Sequence, residues 1–277
     1  MRVMTWNLQG RVGQWEARHH AIQEVLGKAQ PDVVMLQESW VEPDGTTQAH
    51  LLAERLGLFA VTAFELAGFD RYPQAPYWVV NAILTRWPSR ILRATPLRDE
   101  NAASTWRHVL IASVDRPDNN GGPFLAAGTH LEHGLDRTLT RSAQMAHLLA
   151  EVSDAISPSG AWREELPALV AGDFNAVPCS DEIRCATGAS APFIPGFVLV
   201  DAWDACGNVG RGDTWSSPNP LVPRRAVHPN RRLDYITTTF PRRRNFGSFQ
   251  SCELAGRTVI NDVQPSDHYA VIAEVTL

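Results

Sequence analysis

Leu166-Pro167-Ala168-Leu169-Val170-Ala171-Gly172-Asp173-Phe174-Asn175 is the stretch from which the rest of the chain can be read. Its first six residues are an apolar run of strand length, bounded by glycine and polar residues. Residues two apart on an extended chain point to one side. Asp173 and Asn175 are therefore expected to address one reacting group, with Phe174 turned the other way.

Other mostly apolar runs end alike. Val3-Met4-Thr5-Trp6 ends at Asn7, and Val33-Val34-Met35-Leu36-Gln37 ends at Glu38. Ser266-Asp267-His268 stands just before the run Tyr269 to Val275, and Gly128-Thr129-His130-Leu131 closes the strand that starts at Phe124. Asp234 lies inside Leu233-Asp234-Tyr235-Ile236. Strand ends that carry carboxylates, amides and imidazoles imply one polar site along one edge of a sheet pair.

Between these ends, runs bounded by Pro, Gly and Asp predict strands at Met1–Leu8, Asp32–Gln37, Phe59–Leu66, Trp78–Thr85, Ser89–Leu97, Val109–Val114, Leu233–Thr238, Gly247–Ala255 and Tyr269–Thr276. Amphipathic spacing predicts helices at Arg18–Ala29, Thr47–Leu56 and Thr138–Ala155, the last with Leu139, Met145, Leu148, Leu149 and Val152 inward. A short helix is expected near Ser180–Ala186. Pro117–Pro123 reads as a hairpin loop, and 187–232 as irregular. Many strands with few helices are not the alternation of a doubly wound sheet. They predict an α/β four-layer sandwich, two mostly antiparallel β-sheets packed face to face with helices outside. No linker divides the chain, so one domain over 1–277 is expected.

Composition is that of an ordinary globular protein: 277 residues, 44% hydrophobic and 20% charged. Its net charge of −5 gives no global field for holding nucleic acid, although a local basic rim would serve. Lys28 is the only lysine, so nearly every basic residue is arginine. Cys179, Cys185, Cys206 and Cys252 show no metal-ligand spacing. The expectation is a reduced, cytoplasmic protein without a secretory leader. No apolar run approaches the roughly 20 residues a bilayer span needs.

Taken singly, each polar strand end also has a structural reading, as a satisfied edge residue. Glu38 suits a hard divalent cation, which takes oxygen ligands and often needs only one or two carboxylates beside substrate phosphate. An imidazole beside a buried carboxylate is fixed in tautomer and stabilised when protonated, which suits His268 with Asp234.

In their order along the chain, these pieces resemble a known superfamily. They are Thr5-Trp6-Asn7, Leu36-Gln37-Glu38, Asn81-Ala82-Ile83-Leu84-Thr85-Arg86, Thr129-His130-Leu131, Gly172-Asp173-Phe174-Asn175, Leu233-Asp234-Tyr235-Ile236 and Ser266-Asp267-His268. The resemblance is to the endonuclease/exonuclease/phosphatase superfamily, which includes pancreatic-type deoxyribonucleases, exonuclease III-type repair nucleases, neutral sphingomyelinases, inositol polyphosphate 5-phosphatases and deadenylases. It implies a phosphoester hydrolase that uses Mg²⁺, with Mn²⁺ as a substitute. It implies that Glu38 is the main metal ligand, with Asn7 beside it and Asp267 near the metal. Asp173 would orient or deprotonate the attacking water, and Asn175 would bond the phosphoryl oxygens. His268 would contact the scissile phosphate with Asp234 as its partner, and His130 would bind phosphate or protonate the leaving oxygen. One departure stands out: Gln9, two after Asn7, replaces the acid or asparagine of repair nucleases.

The substrate is less legible. Arg224, Arg225, Arg231, Arg232, Arg242, Arg243 and Arg244 bracket Asp234 and read either as solvated loops or as a basic rim for an anion. Arg231, Arg232 and Arg86 are the expected substrate contacts, with Arg107 a weaker one. Trp78, Trp106, Trp203 and Trp215 read as wall packing or as stacking surfaces. A phosphodiesterase or nuclease, a phosphatase or sphingomyelinase-like phospholipase, and a catalytically silent binding protein all fit the motifs. The partner expected is a phosphoester, including nucleic acid, with no obligatory protein partner.

Overall fold

Side-chain alternation sets the layers. On β1 (Arg2–Asn7), Val3 faces a core shared by two sheets, while Met4 and Trp6 face a second core under helices. The computed structural model describes residues 1–65, 78–117, 122–157, 166–240 and 245–277. After β1 come α1 (Trp15–Ala29), β2 (Val33–Val41), α2 (Gln48–Leu56), β3 (Phe59–Thr62) and β4 (Trp78–Thr85). Next are β5 (Ser89–Arg98), β6 (Ser104–Val114), β7 (Phe124–His130), α3 (Thr138–Ile156), β8 (Leu169–Asp173) and α4 (Asp181–Thr187). The chain goes on through β9 (Leu199–Asp201), α5 (Ala202–Ala205), β10 (Trp215–Ser216), β11 (Asn230–Arg231), β12 (Asp234–Thr239), β13 (Ser248–Ala255) and β14 (Ala270–Thr276).

Two six-stranded sheets result, ordered β13-β14-β1-β2-β4-β3 and β5-β6-β7-β8-β12-β9. Each is antiparallel except for one central parallel pair, β1 with β2 and β7 with β8. Parallel neighbours need a crossover, and α1 and α3 supply it. Val3, Met35, Ile83, Leu110, Ala126, Leu169, Ile236 and Val271 fill the space between the sheets. Ile22, Leu26 and Leu52 from α1 and α2 cover the outer face of one sheet. Met145, Leu148, Val152 and Ile183 from α3 and α4 cover the other. The four-layer α/β sandwich is thus observed.

Local chemistry explains the helix ends. Thr47 caps α2, its hydroxyl accepting from His50 N at 3.1 Å, a bond of a type worth about 1 kcal/mol. Gly57 then closes α2 with a left-handed φ of 66°.

Several expectations shift. Leu139, read as inward, is 72% exposed, because the buried face of α3 runs through Thr140, Gln144 and Leu148. The stretch 187–232 is not wholly irregular; it holds β9, α5 and the two-stranded ribbon β10–β11. Leu66, most of the Pro117–Pro123 loop and Arg242, Arg243 and Arg244 lie outside the described residues.

Candidate active site

The parallel pairs place the site. Asn7, Glu38, His130 and Asp173 sit at or near the C-terminal ends of β1, β2, β7 and β8. Asp234 opens the antiparallel β12, and His268 lies two residues before β14. Asn7, Glu38, His130, Asp173, Asn175, Asp267 and His268 all line one cleft of about 380 Å³. A larger cavity, about 570 Å³, lies beside α1 and is lined by Val25, Ile260 and Ile272 with charged residues at its edge. It contains none of these groups, so size does not select the site.

Two ends depart from simple strand alternation. By parity Glu38 belongs with Val34 and Leu36, which face the helices. The β2–β4 ladder slips between Leu36 and Ser39, and Glu38 takes a left-handed φ of 54°. A bulge of this kind re-aims a side chain, and Glu38 now lines the cleft. Asn175 is not on an extended strand either. Its φ is 50°, and its N–H donates to Asp173 Oδ1 at 2.9 Å, so a local turn brings it beside Asp173. Non-glycine residues at positive φ carry a cost and cluster at functional sites. Gly172 is required for another reason: a Cβ there would meet Thr129 O at 2.0 Å.

Asp173 is the hub. Asn7 Nδ2 donates to Asp173 Oδ2 at 3.1 Å and to Glu38 Oε1 at 3.3 Å, tying the two sheets across the cleft. His130 Nε2 lies 3.4 Å from Asp173 Oδ2, so both cleft histidines face this one carboxylate. His268 Nδ1 bonds Asp234 Oδ2 at 2.8 Å, while its Nε2 lies 3.8 Å from Asp173. Thr214 Oγ1 accepts from the N–H groups of Leu233 and Asp234 at 3.0 and 3.2 Å, fixing the start of β12. Asn175 Nδ2 donates to Leu131 O at 3.0 Å, which leaves its second amide hydrogen for another acceptor.

Burial and neighbouring charges set distinct protonation states. Burial, then the Asp234 charge, raises Asp173 to about 6, against the pull of His268 and of bonds from Asn7 and Asn175. Burial disfavours charge on His268, but Asp234 and Asp173 outweigh it and hold the imidazole well above its ordinary value. Burial pushes His130 well below its usual range, with Arg107 and His268 adding to the effect. Glu38 is raised by burial and then by Asp267, against His268, Asn7 and Arg107.

The residues fit a hard cation. Glu38 and Asp267 offer carboxylate oxygens, and Asn7 has one amide oxygen, whose second lone pair is left after it accepts from Gln9 N–H. The repulsion that raises Glu38 is what a divalent ion would reverse. Ligand atoms of Asp173, Asp234 and His268 also lie within 4.8 Å of one another. The His268–Asp234 hydrogen bond occupies Nδ1, which leaves Nε2 as the atom that His268 presents to the cleft.

The rim corrects two expectations. Arg86 follows Thr85, which pairs with Val33 at the start of β2, so it lies at the opposite end of the sheet from Glu38. There it pairs with Asp32 at 2.6 Å. Arg232 is buried at 4% exposure between Asp201 and Asp204 and lies over Tyr235, so it serves the fold rather than the rim. Arg231 does line the cleft. It stacks on Trp215, its partner across β10–β11, with its guanidinium carbon 4.6 Å from the ring centroid. Opposite, Arg107 lies 3.6 Å over Trp106 and bonds His133 Nδ1 at 3.3 Å. Trp106 is 42% exposed. Trp203, by contrast, packs against the inter-sheet core, and Trp78 stacks on Phe64.

Sequence reasoning missed the supports of the site. Ser266 Oγ donates to Asn7 O at 2.6 Å and Trp6 Nε1 to His268 O at 2.9 Å. Arg18 is buried on the inner face of α1, and its place on the Ile22 stripe was the available signal. Gln9 donates its backbone N–H to Asn7 Oδ1 at 3.0 Å from a left-handed φ of 58°.

Similar folds occur in solved structures. Truncated TDP2 from Caenorhabditis elegans aligns with a TM-score of 0.70 at 22% identity, covering 100% of this chain and 97% of that one. TDP2 from D. rerio, complexed with a single-strand DNA product, aligns at 0.73 and 19%, covering 99% and 97%. The human Nocturnin catalytic domain with bound sulfate aligns at 0.69 and 22%, covering 99% and 93%. No curated protein sequence matches the chain. A sequence family does match, over residues 4–268, which run from β1 to the cleft histidine. With the sandwich and the ordered polar strand ends, that match establishes that the chain belongs to the Endonuclease/Exonuclease/phosphatase family, whose members are phosphoester hydrolases.

Proposed function

We propose that the protein is a Mg²⁺-dependent phosphodiesterase of nuclease type. The observation that carries this reading is the pairing of His268 Nδ1 with Asp234 at 2.8 Å, with Asp173 3.8 Å from Nε2 and Glu38 bound to the same Asn7 amide as Asp173. Glu38, Asp267 and Asn7 would hold the ion, which when bound would act as a Lewis acid on a phosphoryl oxygen.

The chain's own groups divide the remaining work. Asp173, raised to about 6, is ionised at neutral pH and basic enough to take a proton from water. His268, held cationic, directs Nε2 at the position where phosphoryl charge grows. Asp234 keeps that ring in one tautomer. His130 is neutral, which suits a hydrogen bond to phosphate better than proton donation to the leaving oxygen. The free amide hydrogen of Asn175 would bond a phosphoryl oxygen.

The Trp215–Arg231 stack and the exposed Trp106 ring favour a substrate with anionic and planar parts, such as a polynucleotide end. The DNA-bound D. rerio relative is consistent with that choice. The test is hydrolysis of bis(p-nitrophenyl) phosphate against p-nitrophenyl phosphate, with Mg²⁺, Mn²⁺ or EDTA, in wild type and Asp173→Asn. Metal-dependent diester cleavage that the variant lacks supports the proposal. Monoester-only cleavage moves the assignment to a phosphatase. Single-stranded oligonucleotide cleavage should fall steeply with salt; salt-independent turnover would point to a small phosphorylated molecule or lipid headgroup.

A further inference from the structure

Arg18 is a charged residue on an apolar stripe. It sits one turn before Ile22 on α1, and it is 2% exposed. Its guanidinium is directed at backbone carbonyls. Nη1 donates to Leu8 O at 2.8 Å and to Pro265 O at 3.1 Å. Nη2 donates to Gln9 O at 3.1 Å, Gly10 O at 2.8 Å and Val12 O at 3.0 Å, and Nε reaches Val12 O at 3.1 Å. An arginine has five N–H donors in a fixed planar fork, and here the fork is filled.

The acceptors come from two segments far apart in sequence. Residues 8–12 follow Asn7, and Pro265 precedes Ser266-Asp267-His268. Gln9 and Gly10 both hold positive φ, 58° and 44°, which helps turn this loop's carbonyls toward one point. Converging carbonyls repel one another, and a buried cation removes that repulsion. The Ser266 and Trp6 bonds described above also join residues 6–7 to residues 266–268.

We propose that Arg18 is a positioning residue that fixes the spacing between Asn7, at the end of β1, and Asp267 and His268, just before the neighbouring strand β14. It touches no substrate. The neighbouring segments carry the proposed metal ligands and the imidazole, so their separation sets whether one phosphoester can meet both. Displacements of about 1 Å in such a constellation cost on the order of 10²-fold in rate. The inference rests on the proposed function for what the spacing serves.

Arg18→Lys keeps the charge but has three donors on one nitrogen, which cannot span both segments. Arg18→Ala removes the group and opens a space that free guanidinium can enter. Both variants and wild type would be assayed for diester hydrolysis and, separately, for Mn²⁺ binding by electron paramagnetic resonance. We expect kcat of Arg18→Lys to fall ten- to hundredfold with KM within threefold, and Mn²⁺ affinity to weaken severalfold. Millimolar guanidinium should restore at least a tenth of wild-type kcat to Arg18→Ala while slowing or not changing wild type. Folding is followed by near-ultraviolet circular dichroism. The proposal is overturned if folded Arg18→Lys matches wild type in either kcat or Mn²⁺ affinity. It is also overturned if neither Arg18 variant folds, since the residue then serves global stability. If wild type lacks hydrolysis, the proposed function fails, and unchanged Mn²⁺ affinity in Arg18→Lys would refute the positioning role by itself.

Discussion

Asp234→Asn, behind the cleft, should separate catalysis from folding. Asp234 is 1% exposed and touches His268 through Oδ2 alone; its Oδ1 has no hydrogen-bond partner among the described residues. Removing the charge weakens a charge-assisted bond worth about 1.5–3 kcal/mol. If that bond serves the transition state, the loss in kcat is roughly 10- to 150-fold. An amide that turns its NH₂ toward Nδ1 adds to the loss by imposing the wrong tautomer. Asp234 does not line the cleft, so KM should stay within threefold. Stability should change little, because a half-satisfied buried carboxylate is costly to keep. A change within about 1 kcal/mol moves Tm by only a few degrees in a chain of this size. The assay is steady-state diester hydrolysis beside thermal unfolding. A kcat within threefold of wild type, or a Tm drop beyond about 8 °C, would refute the reasoning, the second by showing that the pair holds the fold together.

Glu38→Ala should reduce Mg²⁺-supported turnover by at least a thousandfold while the protein still unfolds cooperatively; residual activity that saturates with Mg²⁺ as in wild type would remove Glu38 from the ligand set. Arg231→Ala with Trp215→Ala should raise KM for a single-stranded oligonucleotide at least tenfold and flatten its salt dependence, and equal effects on bis(p-nitrophenyl) phosphate would argue against a substrate lip. His108 is buried, and that burial lowers its pKa to about 4. Its folded value lies below its unfolded one, so its contribution is present above about pH 6.5 and is lost as pH falls toward 4. Denaturant titrations of wild type and His108→Gln should therefore converge or cross with falling pH, with a relative loss to wild type on the order of 3 kcal/mol between pH 7 and 4; parallel curves would contradict this.

The sequence carried the site unevenly, for physical reasons. Asp173 and His268 were legible because a polar residue at the end of an apolar run has few places to go. Glu38 was found for an incomplete reason: strand parity alone points it at the helices, and only the bulge brings it into the cleft. Asn175 was likewise found by an alternation argument, although a side-chain turn places it. The arginines misled because a run of positive charge does not reveal its partners. Arg232 meets Asp201, 31 residues upstream, in a pair that only the fold creates. The Trp215–Arg231 stack was hidden for a related reason, since two-residue strands leave no periodicity to read.

The pairing of β14 with β1 has a consequence for biosynthesis. Arg2 lies opposite Glu274, and Met1 donates to Val275 O, partners 274 positions apart. Asn7 and Glu38 are made early, whereas the imidazole at 268 comes only just before β14. Until β14 is made, the edge of β1 that it covers has no partner strand, and an open edge of this kind invites pairing with other chains. A chain interrupted before residue 268 would carry Asn7, Glu38, His130 and Asp173 without the imidazole that faces Asp173, so the cleft is completed only as β14 closes onto β1.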